Sequence, residues 1–338
     1  MAPPPRPVMA DVAAQAGVSV MTVSRVLNGF PGVAAGTRRR VEHAVAALGY
    51  HANTAARVLA GGRSRTLGII AIETEQFGPS HILFGIEAAA RAAGHLLSFV
   101  TLRRSGKEMA STLEHLRASH VEGIIVIAPV TPVIDAVSRI DESMALVVVG
   151  GDPRSHAATV TIDQFEGARM ATGHLLDLGH RTVHHVRGPR SWVDAAERMR
   201  GWADALRANA APRPSALVGD WSARGGYAAG VRLAQDPGVT AVFAANDQTA
   251  LGVIRAIHEV GRRVPEDVSV VGFDDTPESS YFLPALTTVR QDFGEVGQRS
   301  VELLLSLMDG NVGDRHTVVP ARLVVRESAA WPGGRTRR

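Results

Sequence analysis

From position 66 onward, short apolar runs alternate with longer stretches in which apolar residues recur every three to four positions. The runs 67–72, 96–100, 123–128 and 146–149 have the length of buried strands. The stretches between them, 80–93, 107–119 and 133–140, have the spacing of amphipathic helices. A second series opens with a strand at Val160 and a helix over 165–178. It continues with strands near 183–186, 216–218, 239–244 and 268–271, separated by helices over 193–208, 223–234 and 248–260. A helix over 293–308 and a strand near 318–325 complete the pattern. Strand–helix alternation predicts parallel sheets with helices on both faces, and two series of this length predict two lobes.

The first 65 residues follow a different pattern. Val12, Ala13 and Ala16 give a first helix an apolar face, and Gly17 ends it where the chain must turn. The Ser19 hydroxyl is placed to cap a second helix running to Leu27. Val23, Val26 and Leu27 share its inner side, leaving Val20, Met21, Ser24 and Arg25 outside. A third helix over 35–48 turns Val41, Val45 and Leu48 inward and stops at Gly49. It starts without a hydroxyl cap, at Ala34, and carries Arg38, Arg39 and Arg40 near its positive end. Two short helices joined by a glycine turn form a helix-turn-helix, whose second helix fits the DNA major groove.

Charge placement sharpens that picture. The whole chain of 338 residues has a net charge of +3. Residues 1–65 hold eight arginines against two acids, or +6, and the remainder is −3. The positive charge sits on the small unit, where phosphate contact requires it. No run of 18 apolar residues is present and the first ten residues lack a signal-peptide core. With no cysteine in the chain, disulfides and cysteine-rich zinc sites are excluded, and a cytoplasmic location is expected.

The run DVAAQAGVSVMTVSRVLN closely resembles the DNA-binding headpiece of the lactose-repressor/galactose-repressor family of bacterial transcription regulators. Val20, Met21 and Arg25 are then expected to read base edges, Arg25 being suited to a guanine, while Ser19, Thr22, Ser24 and Asn28 hold phosphates. On propensity alone the stretch after Tyr50 is a linker, because an isolated helix of two turns is unstable in water. The resemblance implies instead a hinge helix, capped by Asn53, that folds when two copies pair in the minor groove. It places Asn53, Ala56 and Leu59 among the DNA contacts, with Leu59 as the wedge at the central base step. The resemblance covers residue 9 to about 327 and implies a core like that of periplasmic sugar-binding proteins, with three chain crossings between lobes.

The expected organisation is an all-α helix-turn-helix headpiece followed by a two-lobed α/β core with parallel sheets. Residues 1–8 form a disordered tail, 9–52 the headpiece, 53–65 the hinge, and 66–327 a ligand-binding and dimerising core. The N-lobe takes 66–158 plus 293–318, the C-lobe 159–292 plus 319–327, and 328–338 form a tail. The tail has no leucine heptads, so a homodimer is expected rather than a tetramer.

Ligands of open parallel sheets bind beyond the strand carboxyl ends, and in two-lobed proteins between the lobes. Trp221, Asn246 and Asp274 follow strands, Arg198 lies early in a helix, and Phe293 falls at a crossing. Carboxylates, amides and guanidinium groups pair with neighbouring sugar hydroxyls, and flat rings pack on a pyranose face. Taken singly, Asn246 and Asp274 read rather as helix or turn caps, Trp221 and Phe293 fit core positions, and Arg198 fits a surface ion pair. The segments GPRSWVDAAERMRGW, GDWSA, AANDQTALG and VVGFDDTPESSYFLPALTTVRQDFGEVGQ resemble the lactose-repressor branch of the family. That resemblance implies that Arg198, Trp221, Asn246, Asp274 and Phe293 line an effector pocket, with Gly78, Pro79 and Ile82 of FGPSHI as the facing wall. The branch carries a pocket aspartate after the strand ending at Val149. This chain has Gly150-Gly151-Asp152, which puts that contact on Asp152 from a shifted loop or removes it.

No phosphate-loop, HExxH or GxSxG signature occurs. His180, His184 and His185 flank a strand, and Asp247, Asp274 and Asp275 read as hydroxyl acceptors and caps; no metal, cofactor or enzymatic activity is expected. The expectation is a homodimeric repressor whose grip on a pseudo-palindromic operator in double-stranded DNA is lowered by a small sugar, a galactoside or other glycoside. The alternatives are a corepressor-dependent, purine-type repressor and a sugar-binding protein of another class.

Overall fold

The computed structural model describes residues 7–27, 30–50, 63–73, 76–103, 107–137, 144–150, 157–311 and 313–332. The chain forms two compact units, Met1–Ser64 and Arg65–Arg338. Residues 1–6 and 333–338 of the expected tails and 53–62 of the expected hinge lie outside the described residues.

In the first unit, helices α1 (Met9–Ala16), α2 (Val20–Leu27) and α3 (Ala35–Leu48) enclose a core of Val12, Ala13, Ala16, Val23, Val26, Val41, Ala44 and Tyr50. The Asp11 carboxylate accepts the Val8 N–H at 2.8 Å at the start of α1, and Gly17 ends it at φ 63°, its N–H turned onto the Ala13 and Ala14 carbonyls. Ala44 takes the fully buried place expected of Val45 and Leu48, which pack at the margin of this core.

The second unit contains two six-stranded sheets. The first runs in the order β11-β5-β4-β3-β1-β2, built from β1 (Thr66–Ile72), β2 (Leu96–Leu102), β3 (Gly123–Ile127), β4 (Leu146–Val149), β5 (Ala158–Ile162) and β11 (His316–Val319), with every pair parallel. The second runs β12-β10-β9-β8-β6-β7, from β6 (His184–Arg187), β7 (Leu217–Val218), β8 (Ala241–Ala244), β9 (Ser269–Asp274), β10 (Thr287–Arg290) and β12 (Arg322–Val324). There only β12 is antiparallel, to β10.

The helices between them are α4 (Phe77–Ala92), α5 (Met109–Ala118), α6 (Thr131–Val137), α7 (Gln164–Asp177), α8 (Val193–Ala208), α9 (Ala223–Ala234), α10 (Asp247–Glu259) and α11 (Phe293–Met308). Strands such as β3, buried on both sides, are continuous Val/Ile runs because helices cover both faces of their sheet.

The lobe boundary differs from the sequence expectation by a whole strand. Residues 159–162, expected at the start of the C-lobe, pair with β4 and β11 in the first sheet. The chain therefore crosses at Asp163, which caps α7 by accepting the Glu166 N–H at 2.9 Å. It returns at Gln291–Asp292, where Asp292 caps α11 through the Glu295 N–H at 2.9 Å. The stretch 318–325 is not one strand but the end of β11 and all of β12, in different sheets, with the third crossing between them. Strand β10 and a 3-10 turn over Pro277–Tyr281 were not expected, their runs being too short and too polar to stand out.

Candidate functional site

On the first unit, the Ser19 hydroxyl accepts the Thr22 N–H at 3.2 Å and lies 2.9 Å from the Thr22 hydroxyl, which fixes the start of α2. With Val23 and Val26 turned into the core, Val20 and Met21 stand 46% and 66% exposed, beside an exposed Arg25. Apolar side chains this open on a short helix have no packing role in the unit itself. Ser24 is half-buried on the same helix. Helix α3 starts at Ala34 without a side-chain cap, as expected; Arg38 donates to the Phe30 carbonyl at 3.3 Å, and Arg39 and Arg40 are exposed. Asn28, Asn53, Ala56 and Leu59 lie outside the described residues.

On the second unit, a cleft opens between the carboxyl ends of the two sheets, with about 640 Å³ of empty space when its open mouth is counted. It brings together Gly78, Pro79, Ile82, Arg198, Trp221, Asn246, Asp274 and Phe293, eight of the nine residues expected there. The ninth, Asp152, lies outside the described residues.

The N-lobe wall is the first turn of α4, which begins three residues earlier than the pattern suggested, so that Phe77 joins it. Phe77 meets Phe293 edge to face at 5.7 Å. A Cβ on Gly78 would reach within 3.3 Å of the Phe293 ring, so the missing side chain lets that ring lie against the helix. Together with Pro79, Ile82 and Val296 this wall is almost wholly apolar.

The C-lobe wall is polar and closes on itself. Arg198 on α8 donates from Nε to Gln164 Oε1 at 2.8 Å; Gln164 Nε2 donates to Gln291 Oε1 at 2.7 Å; Gln291 Nε2 donates to Asp274 Oδ1 at 2.6 Å. The Arg198 guanidinium completes the ring with an ion pair to Asp274 at 3.5 Å. Arg198 also donates from Nη1 to the Ala245 carbonyl and is packed over the Phe273 ring at 3.8 Å and the Trp221 ring at 5.5 Å. Burial pushes the Asp274 carboxyl up to about 6, with Arg198 opposing that rise. Gln164 and Gln291 sit at the first and second chain crossings, so this ring joins two of the three segments that cross between the lobes. Neither glutamine was expected in the site.

Three local structures set the remaining side chains. Asp220 accepts from the Ser222 N–H and hydroxyl at 3.0 and 2.6 Å, and Ser222 caps α9 at Gly225 N–H. This tight turn holds Trp221 at φ 71°, a left-handed conformation rare for a bulky residue. A Cβ on Gly188 would lie 2.3 Å from the Trp221 ring, so only glycine leaves room for it. Trp221 is only 6% exposed and meets Trp192 edge to face at 5.4 Å, so it is not an open stacking platform; its indole N–H has no hydrogen-bond partner among the described residues.

Asn246 combines both readings offered for it. Its Oδ1 caps α10 at the Thr249 N–H at 3.0 Å, its Nδ2 donates to the Trp221 carbonyl at 3.0 Å, and the residue lines the cleft. Asp274 closes β9 at φ 108°, a second strained position at the cleft.

The other singled-out acids and histidines serve the fold. Asp247 accepts the Thr276 N–H at 2.8 Å and the Thr288 hydroxyl at 2.5 Å, and Asp275 is held by Arg290 and Arg326 at 2.5 and 2.6 Å. His180 bridges Thr240, Ser269 and the Ala330 carbonyl, each at 3.0 Å. Among the described residues no group of three or more His, Cys, Asp or Glu is placed to hold a metal ion, and no helix is long and apolar enough to cross a membrane.

A three-helix unit with an exposed reading face, attached in sequence to a two-lobed core with an inter-lobe cleft, defines the class of ligand-binding DNA regulators built on a periplasmic-binding-protein fold. Residues 8–53 match the model of bacterial regulatory proteins of the lacI family, and 172–329 match a periplasmic binding protein-like domain. The chain is 36% identical over 329 residues to the lactose operon repressor of Escherichia coli (strain K12), covering 96% of this chain and 91% of that protein. It superimposes on a lac repressor dimer solved with operator and the anti-inducer ONPF with a TM-score of 0.90, at 35% identity, covering 96% of this chain and 100% of that one. A CelR–cellobiose complex gives a TM-score of 0.71 at 33% identity, covering 96% and 100%. The chain belongs to the lacI family of bacterial regulatory proteins.

Proposed function

We propose that this protein is a sugar-responsive transcriptional repressor. Two copies place their α2 helices in half-sites of a pseudo-palindromic duplex. Arg25 pairs with a guanine edge, Val20 and Met21 contact apolar base surface, and Ser19, Thr22, Ser24 and Asn28 position the phosphates. The hinge residues Asn53, Ala56 and Leu59 enter the minor groove between them. Exposed Phe84, Leu96 and Phe99 of the N-lobe and Leu251, Tyr281 and Leu283 of the C-lobe supply apolar surface of the kind a subunit interface buries.

The observation that carries the sugar reading is the closed ring Arg198–Gln164–Gln291–Asp274. It sets planar hydrogen-bonding groups along the cleft and ties together two of the three segments that cross between the lobes. A glycoside that exchanges hydrogen bonds with this ring changes the contacts of both crossings together. A lobe rearrangement of that kind alters the spacing of the paired headpieces, so ligand and operator affinities are linked. Cellobiose in the CelR complex is a glycoside, in keeping with an effector of this class.

The test is a mobility-shift titration at low ionic strength with duplex from upstream of the protein's own gene, repeated with lactose, cellobiose and simple methyl glycosides. The expected result is a shifted duplex that is released by one of these sugars. Tighter binding with sugar would instead mark a corepressor-dependent protein, and no shift of any duplex would overturn the repressor reading.

A further inference from the structure

Asp247 is fully buried at the first position of α10, directly after Asn246. A first-turn acid ordinarily serves the free N–H groups of its own helix, but Asn246 already caps α10 at the Thr249 N–H. The Asp247 carboxyl turns to two other segments instead. Its Oδ2 accepts the Thr276 N–H at 2.8 Å and its Oδ1 accepts the Thr288 hydroxyl at 2.5 Å, partners 29 and 41 residues further along the chain. Thr276 belongs to the turn after β9 that presents Asp274, and Thr288 lies on β10, three residues before Gln291. One carboxyl therefore joins the three segments that carry Asn246, Asp274 and Gln291 to the cleft. We propose that Asp247 is a positioning residue for sugar binding: by tying α10, the turn after β9 and β10 together, it sets the spacing of Asn246, Asp274 and Gln291 for the hydroxyls of a glycoside. The inference rests on the sugar-responsive reading above and adds the buried residue that holds that site in shape.

The turn held by this tie is strained. Asp274 at φ 108° and Asp275 at φ 52° both lie in the left-handed region that favours glycine. Gln291 and Arg198 engage the Asp274 side chain, whereas the Asp247–Thr276 bond holds the backbone that follows it. The tie is also built into the sheet. Gly272 on β9 is paired with Thr288, and a Cβ on Gly272 would lie 2.4 Å from Asp247 Oδ1, so only glycine lets the carboxyl sit over this strand pair. Burial, with nearby Asp274 adding to it, pushes the Asp247 carboxyl up to about 8. At neutral pH the tie is thus largely uncharged and leaves the Arg198 guanidinium to Asp274. Groups that bind a ligand must be held within about 0.5 Å of their working geometry by the layer behind them. Asp247 supplies that layer for three of them at once.

Isothermal titration of the full-length protein with methyl β-glucopyranoside, methyl β-galactopyranoside, lactose and cellobiose identifies the best binder, which is then titrated into the variants. Asp247→Ala is expected to weaken sugar binding about 10–100-fold, as is Thr288→Val, which keeps the side chain's shape and removes its donor. The double variant is expected to bind no more weakly than Asp247→Ala, because both changes cut one tie. Thr288→Ser keeps the hydroxyl and is expected to stay within about three-fold of wild type. Leu233→Ala, a core truncation at the far end of α9, lowers the Tm without touching the tie and is expected to leave sugar affinity within about two-fold. Wild-type affinity in Asp247→Ala and Thr288→Val would overturn the positioning role while leaving the sugar reading intact. So would additive losses in the double variant, a Thr288→Ser as weak as Thr288→Val, or an equal loss in Leu233→Ala. Thr288→Val decides the matter if Asp247→Ala fails to fold. A wild type that binds none of the four sugars would overturn the sugar reading and this inference with it.

Discussion

His185 shows how strongly the fold dictates the charge of one residue. It is fully buried on β6, stacked on Phe243 at 4.7 Å and near Trp202 at 5.4 Å; Nδ1 pairs with the Phe243 carbonyl, and Nε2 has no partner among the described residues. Burial pushes its pKa from 6.5 down to about 3. The folded state thus holds the ring neutral where the unfolded chain protonates it. Its contribution to stability is complete above pH about 6.5 and is lost as the pH falls toward about 3. Thermal melting of wild type and His185→Phe across that range is expected to show a shallower acid-side decline in the variant; parallel profiles would contradict this assignment. At this scale Trp221, Asn246 and Asp274 stood out because residues that follow parallel strands face the cleft, but it was the family resemblance that placed them, with Arg198 and Phe293, in the pocket rather than in caps and core. The sequence did not reveal Gln164 and Gln291, 127 residues apart, which meet only once the lobes form. Asp194, which also lines the cleft, was within reach: an inward Arg198 places the residue four positions earlier on the same face.

Among the elements, the packing of α4 against α11 sets the N-lobe wall. A Cβ on Gly297 would lie 2.3 Å from the Gly85 carbonyl carbon, and one on Gly85 would lie 2.9 Å from the Phe293 carbonyl oxygen. The two backbones touch at their glycines, and Phe293 begins the helix so placed. Gly297→Ala is expected to force the helices apart and to cost about 1–3 kcal/mol. Differential scanning calorimetry would detect this as a Tm lowered by several degrees, and an unchanged Tm would show that the helices have room to give. Helices with a clear apolar period, such as 193–208 and 223–234, were legible to the residue. Strand β10 and the separation of β11 from β12 were not, because short runs of threonine and valine acquire their sheet only from the neighbours they pair with. The same limit explains the misplaced lobe boundary: nothing local distinguishes a strand ending one lobe from a strand starting the next.

For the molecule as a whole, the proposed function joins two sites that share no residue: the basic headpiece would hold a duplex, the cleft a glycoside, and the two bindings would oppose each other through the arrangement of the lobes. Thermodynamic linkage makes that opposition reciprocal, with factors on the order of 5–150. The headpiece and the cleft inventory were both legible in the sequence because each depends on short local motifs. The ring that ties the cleft to the crossings was not, because it is made only by the fold. The most direct test is to titrate the sugar that releases the duplex into free protein and into protein saturated with that duplex, at one fixed salt concentration. The expected result is a sugar Kd about 5–150-fold weaker on the duplex, matching the factor by which sugar weakens duplex binding; the same sugar Kd in both states would contradict the proposed linkage.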